Sequence, residues 1–80
     1  MHTSTRWTVR TGDDLGRAVA GVRTARSMTQ TEVAEMTGID RTYLTRLENG
    51  ATVAQIERAL RVLRRLGATV SVELDDDLAR

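Results

Sequence analysis

The 80-residue chain contains no cysteine and no lysine, and only one histidine, His2. Without cysteine there are no disulfide staples and no thiolate metal sites, a composition that accords with a reducing cytoplasm. His2 stands alone near the N-terminus, and one imidazole makes neither a metal site nor a catalytic pair. No nucleophile is paired with a base, no two carboxylates share a plausible cleft, and no glycine loop could cradle phosphate; no catalytic residue, metal or cofactor is expected. No apolar run approaches the roughly 18 residues that span a bilayer, and Met1 to Arg10 lacks the apolar block of a signal peptide. A soluble intracellular protein with no membrane partner is therefore expected. Every basic residue but His2 is arginine. That bias reads first as codon usage, although the planar guanidinium fork does suit phosphate and guanine.

What is present suits one small domain, 1–80. A chain of this size buries only about 60–65% of its extended surface, so a partner subunit would help it considerably. The formal net charge is +1. Because Asp75, Asp76 and Asp77 sit at the end, residues 1–74 hold eleven Arg against eight acids, a net +3. So weak a basic balance argues only faintly for nucleic acid, and what matters is where Arg23, Arg26, Arg41 and Arg46 fall.

The most informative stretch is 29–50, TQTEVAEMTGIDRTYLTRLENG. Thr29 and Glu32 have the T-x-x-E spacing in which each side chain caps a backbone N–H of the other, so a helix starts at Gln30. Gly38 ends it in the left-handed conformation that a Cβ would penalise. Asp40 then N-caps a second helix. Val33, Ile39, Leu44 and Leu47 are expected to point inward, with the small Ala34 where the two helices cross. Arg41, Thr42, Tyr43, Thr45 and Arg46 gather on the outward side and near the N-terminus of the second helix. Such side chains can read base edges or grip phosphate, and Thr29 and Gln30 can offer donors to phosphate at the start of the first.

These residues resemble the lambda-repressor-like helix-turn-helix family of the Cro/XRE type. Its pattern T-Q-x-x-[LV]-A-x-x-x-G-[IV]-x-x-x-x-[LI]-x-x-[LI]-E-x-G is reproduced from Thr29 to Gly50. A helical hairpin without a ligand is the plainer alternative.

Around the motif, Met1 to Thr5 is polar, uncapped and expected to be mobile. Trp7 and Val9 alternate with polar neighbours, as in a strand or arm. Thr11 and Asp14 repeat the capping spacing ahead of a helix from about Gly12 to Arg26, in which Gly16 and Gly21 each cost about 1 kcal/mol unless a neighbouring backbone packs closely there. Thr52 and Gln55 predict a third capping arrangement, launching a helix from about Val53 to Leu66 with Val53, Ile56, Leu60, Leu63 and Leu66 buried. Arg58, Arg61, Arg64 and Arg65 lie around the rest of it, as a solvated face or as a docking surface for an acidic partner. Residues 68–74 alternate with period two, Val70, Val72 and Leu74 on one side. Such a strand needs a partner, either the Trp7 segment or its equal in a second subunit. The last six residues, 75–80, read as a mobile, solvated tail, with weak metal binding by the three Asp the lesser alternative.

The expected fold is all-α: a helix-turn-helix bundle of about four helices plus a C-terminal strand, and a short N-terminal one, pairing in a dimer. From Trp7 to Leu74 the element order resembles the HipB-like branch, antitoxins and repressors of toxin–antitoxin operons. The resemblance implies a homodimer joined through Trp7, Val9, Val70, Val72 and Leu74, autoregulation through palindromic double-stranded operator DNA, neutralisation of a HipA-like kinase toxin, and a bacterial, nucleoid-associated cytoplasmic location. DNA contact is then expected from Thr29, Gln30, Asp40, Arg41, Thr42, Tyr43, Thr45 and Arg46. Asp40 departs from the basic residue that this branch can place there, and an anionic side chain would repel phosphate unless it caps the helix or accepts from cytosine. The short acidic ending also differs from the longer tail by which such antitoxins can reach a toxin. A stand-alone XRE-type regulator and a protein-interaction adaptor that no longer reads DNA are the other readings.

Overall fold

The computed structural model describes residues 4–75, so His2 and the acidic ending from Asp76 onward lie outside the described residues. Within them the order is β1 (Ser4–Val9), α1 (Gly12–Ala25), α2 (Gln30–Thr37), α3 (Arg41–Glu48), α4 (Ala54–Arg65) and β2 (Val70–Asp75).

Three helices start where side-chain chemistry places them. In α1 the Asp14 N–H donates to the Thr11 hydroxyl at 3.2 Å while the Thr11 N–H donates to the Asp14 carboxylate at 3.2 Å. Thr29 and Glu32 make the same reciprocal pair, at 3.0 and 2.8 Å. Asp40 accepts from the Thr42 N–H at 2.8 Å. Each cap satisfies a donor that the helix cannot, typically worth about 1 kcal/mol.

The third expected capping arrangement is absent. The N-cap of α4 is Val53, with no side-chain cap, and the Thr52 hydroxyl donates instead to the Glu57 carboxylate, which also accepts from the Gly12 N–H at 3.2 Å. Thr52 thus serves the junction between α1 and α4 rather than the helix start.

Helix ends are equally local. Gly38 adopts φ 76° after α2, while Gly50 and Gly67 follow α3 and α4 with positive φ. After α1 the same place is taken by Ser27 at φ 57°; its N–H bonds to Thr24 O at 2.9 Å and the Met28 N–H to Arg23 O at 3.1 Å, the two bonds of a Schellman stop.

β1 and β2 pair antiparallel with each other, from Ser4 opposite Asp75 to Val9 opposite Val70. Of the two partners open to β2, the Trp7 segment of its own chain is the one it pairs with here. Ser4 and Thr5, expected to be mobile, belong to β1, and Asp75, expected in the tail, closes β2. A strand at either end of the chain supplies the hydrogen bonds that the other lacks.

On the inner face Val9 packs with Ala18 and Leu60 in the core, joined by Trp7, Leu15, Ile56, Val70 and Val72, and Leu74 is buried too. The five side chains expected at a dimer junction thus point into their own subunit. Gly21 lies directly under the Trp7 ring, and Gly16 lies against the carbonyls of Leu47 and Glu48, so a Cβ at either would collide. Close approach, of the α3 backbone at one glycine and of an indole at the other, offsets their helix cost.

The inward set in the motif holds in part. Leu44 and Ala34 are buried and Val33 and Leu47 half-buried, but Ile39 is exposed, because it sits in the turn after Gly38 with only its N–H tied back to Ala34 O. On α4 the expected burial fails more widely: Leu60 is buried and Ile56 half-buried, whereas Val53, Leu63 and Leu66 are exposed. The subunit covers only one edge of this helix's apolar arc.

Candidate nucleic-acid interface

The second motif helix, α3, is held from two sides, against α1 and against α2. Its fixed point is Glu48 in the last turn. Arg23 of α1 meets it with both teeth of the guanidinium, Nε to Oε2 at 2.7 Å and Nη2 to Oε1 at 2.9 Å. A planar fork on a planar carboxylate fixes direction as well as distance. The third donor of Arg23, Nη1, reaches Met28 O at 2.9 Å and ties down the α1–α2 loop.

Gln30, at the first position of α2, joins this network. Its Nε2 donates to Glu48 Oε1 at 3.0 Å, and its Oε1 lies 2.9 Å from the Thr45 hydroxyl. One carboxylate therefore connects three helices. Hydrogen bonding from Arg23 above all holds the Glu48 carboxyl below the usual range; burial opposes this, and Gln30 adds to it. Glu48 is ionised at neutral pH, and the Arg23 guanidinium is held more firmly charged in return.

On that support α3 turns Leu44 into the core, 4% exposed, and Tyr43 outward, 46% exposed. Thr42 and Arg46, four residues apart, lie opposite Leu44 at 3.6 residues per turn, and both are exposed. Arg41 is exposed at the helix N-terminus. Asp40 is exposed as well, and its Oδ1 accepts from the Thr42 N–H, so the side chain turns to the helix start. Thr29 is exposed at the start of α2; its hydroxyl accepts from Glu32 and keeps its own hydrogen to donate.

The eight candidate residues thus fall into two groups. Among the described residues the side chains of Arg41, Thr42, Tyr43 and Arg46 are exposed and make no hydrogen bond, Thr42 and Arg46 opposite Leu44, Tyr43 to one side and Arg41 at the helix N-terminus, while Gln30, Thr45, Asp40 and Thr29 each spend at least one hydrogen bond on the scaffold. Of the four arginines weighed as cations around the motif, Arg41 and Arg46 are exposed. Arg23 is locked to Glu48, and half-buried Arg26 reaches Asp75 O at 3.5 Å. The motif ending L-E-N-G marked Glu48 as a pattern position, but nothing in the spacing named Arg23 as its partner 25 residues upstream.

The helix-turn-helix family matches residues 20–72, more than half of the chain. The chain belongs to the helix-turn-helix family. The matched span takes in the end of α1, the motif, α4 and the start of β2, and leaves β1 outside it. This helix-turn-helix protein is 33% identical over 64 residues to an uncharacterized HTH-type transcriptional regulator, y4mF, of Sinorhizobium fredii (strain NBRC 101917 / NGR234), covering 80% of this chain and 84% of that one. No solved structure matches it. Family membership makes the protein a DNA-binding regulator, with α2 and α3 as the two helices of the motif. Among the described residues no helix is long and apolar enough to cross a membrane.

Proposed function

We propose that this helix-turn-helix protein is a transcriptional repressor that binds palindromic operator DNA as a homodimer in the cytoplasm. The observation that carries the reading is the free, exposed set Arg41, Thr42, Tyr43 and Arg46 on a helix anchored through Glu48 to two others. Arg41 or Arg46 pairs with guanine or grips phosphate, Thr42 contacts a base or a thymine methyl, and Tyr43 lies against the backbone. Thr29 and the remaining N–H of Gln30 serve phosphate at the start of α2, and Asp40 and Thr45 orient the reader helix from its edge. A two-fold dimer, with the terminal strands near its axis, sets two reader helices about 34 Å apart for successive major grooves. The regulator named for y4mF supports the same class of activity.

Within that reading the protein is the antitoxin of a type II toxin–antitoxin operon, repressing its own operon and neutralising a HipA-like kinase. The support is the element order, a helix, the motif, one long helix and a terminal strand, together with the sequence resemblance.

The DNA claim is tested by replacing Arg41, Tyr43 and Arg46 with alanine and measuring binding to DNA from upstream of the gene. Loss of binding with an unchanged circular dichroism spectrum supports it; unchanged binding sinks it. The antitoxin claim is tested by co-expressing the chain with its genomic neighbour. A neighbour that is no toxin, or no co-purification at low salt, leaves a stand-alone regulator as the function.

A further inference from the structure

α1, α2 and β2 do not close on one another completely. Between them lies an open cleft of about 300 Å³, walled by Val19 and Val22 of α1, Val33 and Met36 of α2, Met28 in the loop that joins them, and Val72 of β2. All of these are half-buried except Met36, which is 67% exposed at the rim. Volume and lining are those of a small-molecule site, since such sites are concave, mostly apolar and begin at about 300 Å³. The methionines make two of the walls adaptable to the shape of an occupant.

The charged groups of the cleft are two arginines, one turn apart on α1 and differently used. Arg23 is spent, since Glu48 takes two of its donors and Met28 O a third. Arg26 is not. Among the described residues its side chain makes one hydrogen bond, to a backbone carbonyl, Asp75 O, at 3.5 Å, and no acidic side chain lines the cleft. A half-buried guanidinium with most of its donors open, beside an apolar hollow, suits an anion that carries an apolar body. One such guanidinium balances one charge, and its planar fork matches the two oxygens of a carboxylate.

We propose that this cleft binds a small amphipathic monocarboxylate, an alkanoic or arylalkanoic acid, with the carboxylate on Arg26 and the apolar body between Val22, Val33 and Met36. Occupancy bears on the motif. The cleft separates α1 from α2, and the same two helices meet at Glu48 through Arg23 and Gln30. A body wedged between them acts on the contact that aims α3, so the ligand is an effector of the regulator as well as an occupant. The binding site goes beyond the operator reading proposed above and does not depend on it; only the effector role rests on that reading.

The test uses the full chain with methyl-labelled methionine and sodium octanoate below its micelle concentration, with 1-octanol as the uncharged probe. Octanoate should shift the Met28 and Met36 methyl signals saturably and bind about tenfold or more tightly than octanol. Arg26→Gln should remove that advantage while leaving octanol binding unchanged. Met36→Glu, at an exposed position where the fold is not at stake, sets a carboxylate on the apolar wall and should abolish binding of both probes with an unchanged circular dichroism spectrum. No saturable shift with octanoate overturns the site. Octanol bound as tightly as octanoate, or octanoate bound by Arg26→Gln as by wild type, overturns the carboxylate. Met28 and Met36 signals that move on dilution of the ligand-free chain and ignore octanoate assign the cleft to a second copy and overturn the site as well. Saturating octanoate should change the operator affinity of wild type by about fivefold or more and leave that of Met36→Glu unchanged. No change in wild type overturns the effector role while the site stands; no operator binding with or without octanoate overturns the operator reading and the effector role together, and the site still stands on the octanoate titration.

Discussion

Arg23 and Glu48 lie 25 residues apart in sequence and face each other through two parallel hydrogen bonds of 2.7 and 2.9 Å, one residue near the end of α1 and the other at the end of α3. The Glu48 side chain is 7% exposed and that of Arg23 20%, so the pair is largely withdrawn from water. Removing either partner leaves a charge with little solvent to replace it. Glu48→Ala should lower unfolding free energy by about 2–4 kcal/mol in urea titrations. Arg23→Lys should recover only part of that relative to Arg23→Ala, since an ammonium cannot satisfy both carboxylate oxygens in one plane. Operator affinity should fall in Glu48→Ala even under conditions where the variant remains folded, because α3 loses the contact that aims it.

Acid should act on the same contact. The Glu48 carboxyl is held below its ordinary value of 4.5 chiefly by the Arg23 hydrogen bonds, and Asp14 below 3.8 chiefly by the Arg10 N–H. A carboxyl depressed in the folded state releases its proton more readily there than in the unfolded chain. Its stabilisation is therefore fully present above the unfolded value and is lost as pH falls through the folded one. Thermal midpoints should change little from neutral pH down to about 5 and then decline progressively with further acid. In Glu48→Gln the decline should be shallower, leaving the portion that belongs to Asp14. A variant that falls as steeply as wild type would show that another group governs acid stability.

Arg41 and Arg46 differ in place, at the N-terminus of α3 and opposite Leu44, and their DNA roles should separate. A base-reading arginine should cost about 1–3 kcal/mol on replacement by alanine and relax preference at one base pair. A phosphate-gripping one should weaken all sequences alike and lower the salt slope by about one. Titrating each variant against operator and scrambled DNA at several salt concentrations distinguishes the two.

Ser27 occupies the left-handed position after α1, where the other helices end on glycine. Its Cβ is crowded there, and the surrounding bonds to Thr24 and Arg23 hold it in place. Ser27→Gly should raise stability by about 0.5–1 kcal/mol in chemical denaturation, the reverse of the usual cost of glycine. A loss instead would mean that the hydroxyl matters more than the backbone.

The parts of the fold legible in the sequence are those decided within four residues. Thr11 with Asp14, Thr29 with Glu32, Asp40 and Gly38 fix their helix ends through bonds to their own neighbours, and the structure has each of them. Thr52 had the same spacing, but a carboxylate near the first turn of α4 took its hydroxyl. The choice of partner for β2 was open, because alternation identifies a strand without naming its neighbour. On α4 the expected and observed burial differ for a related reason: periodicity marks an apolar arc, and how much of that arc one subunit can cover depends on the size of the rest. The exposure of Thr42, Tyr43 and Arg46 is legible from their places relative to Leu44, whereas the occupation of Gln30 and the lock on Arg23 depend on long-range approach.

The sheet has a consequence for how the chain reaches this state. Arg6 and Glu73, salt-bridged at 3.3 Å, are 67 residues apart, whereas α2 and α3 adjoin in sequence. Closing so long a loop costs entropy that no nearby contact repays, so the two strands should zip together only after the helices have docked and brought them close. The clasp would then be the last contact to form and among the first to open. Hydrogen exchange should find the β1 and β2 amides less protected than those in the middle of α1, a slow-closing seam on a quickly folded body.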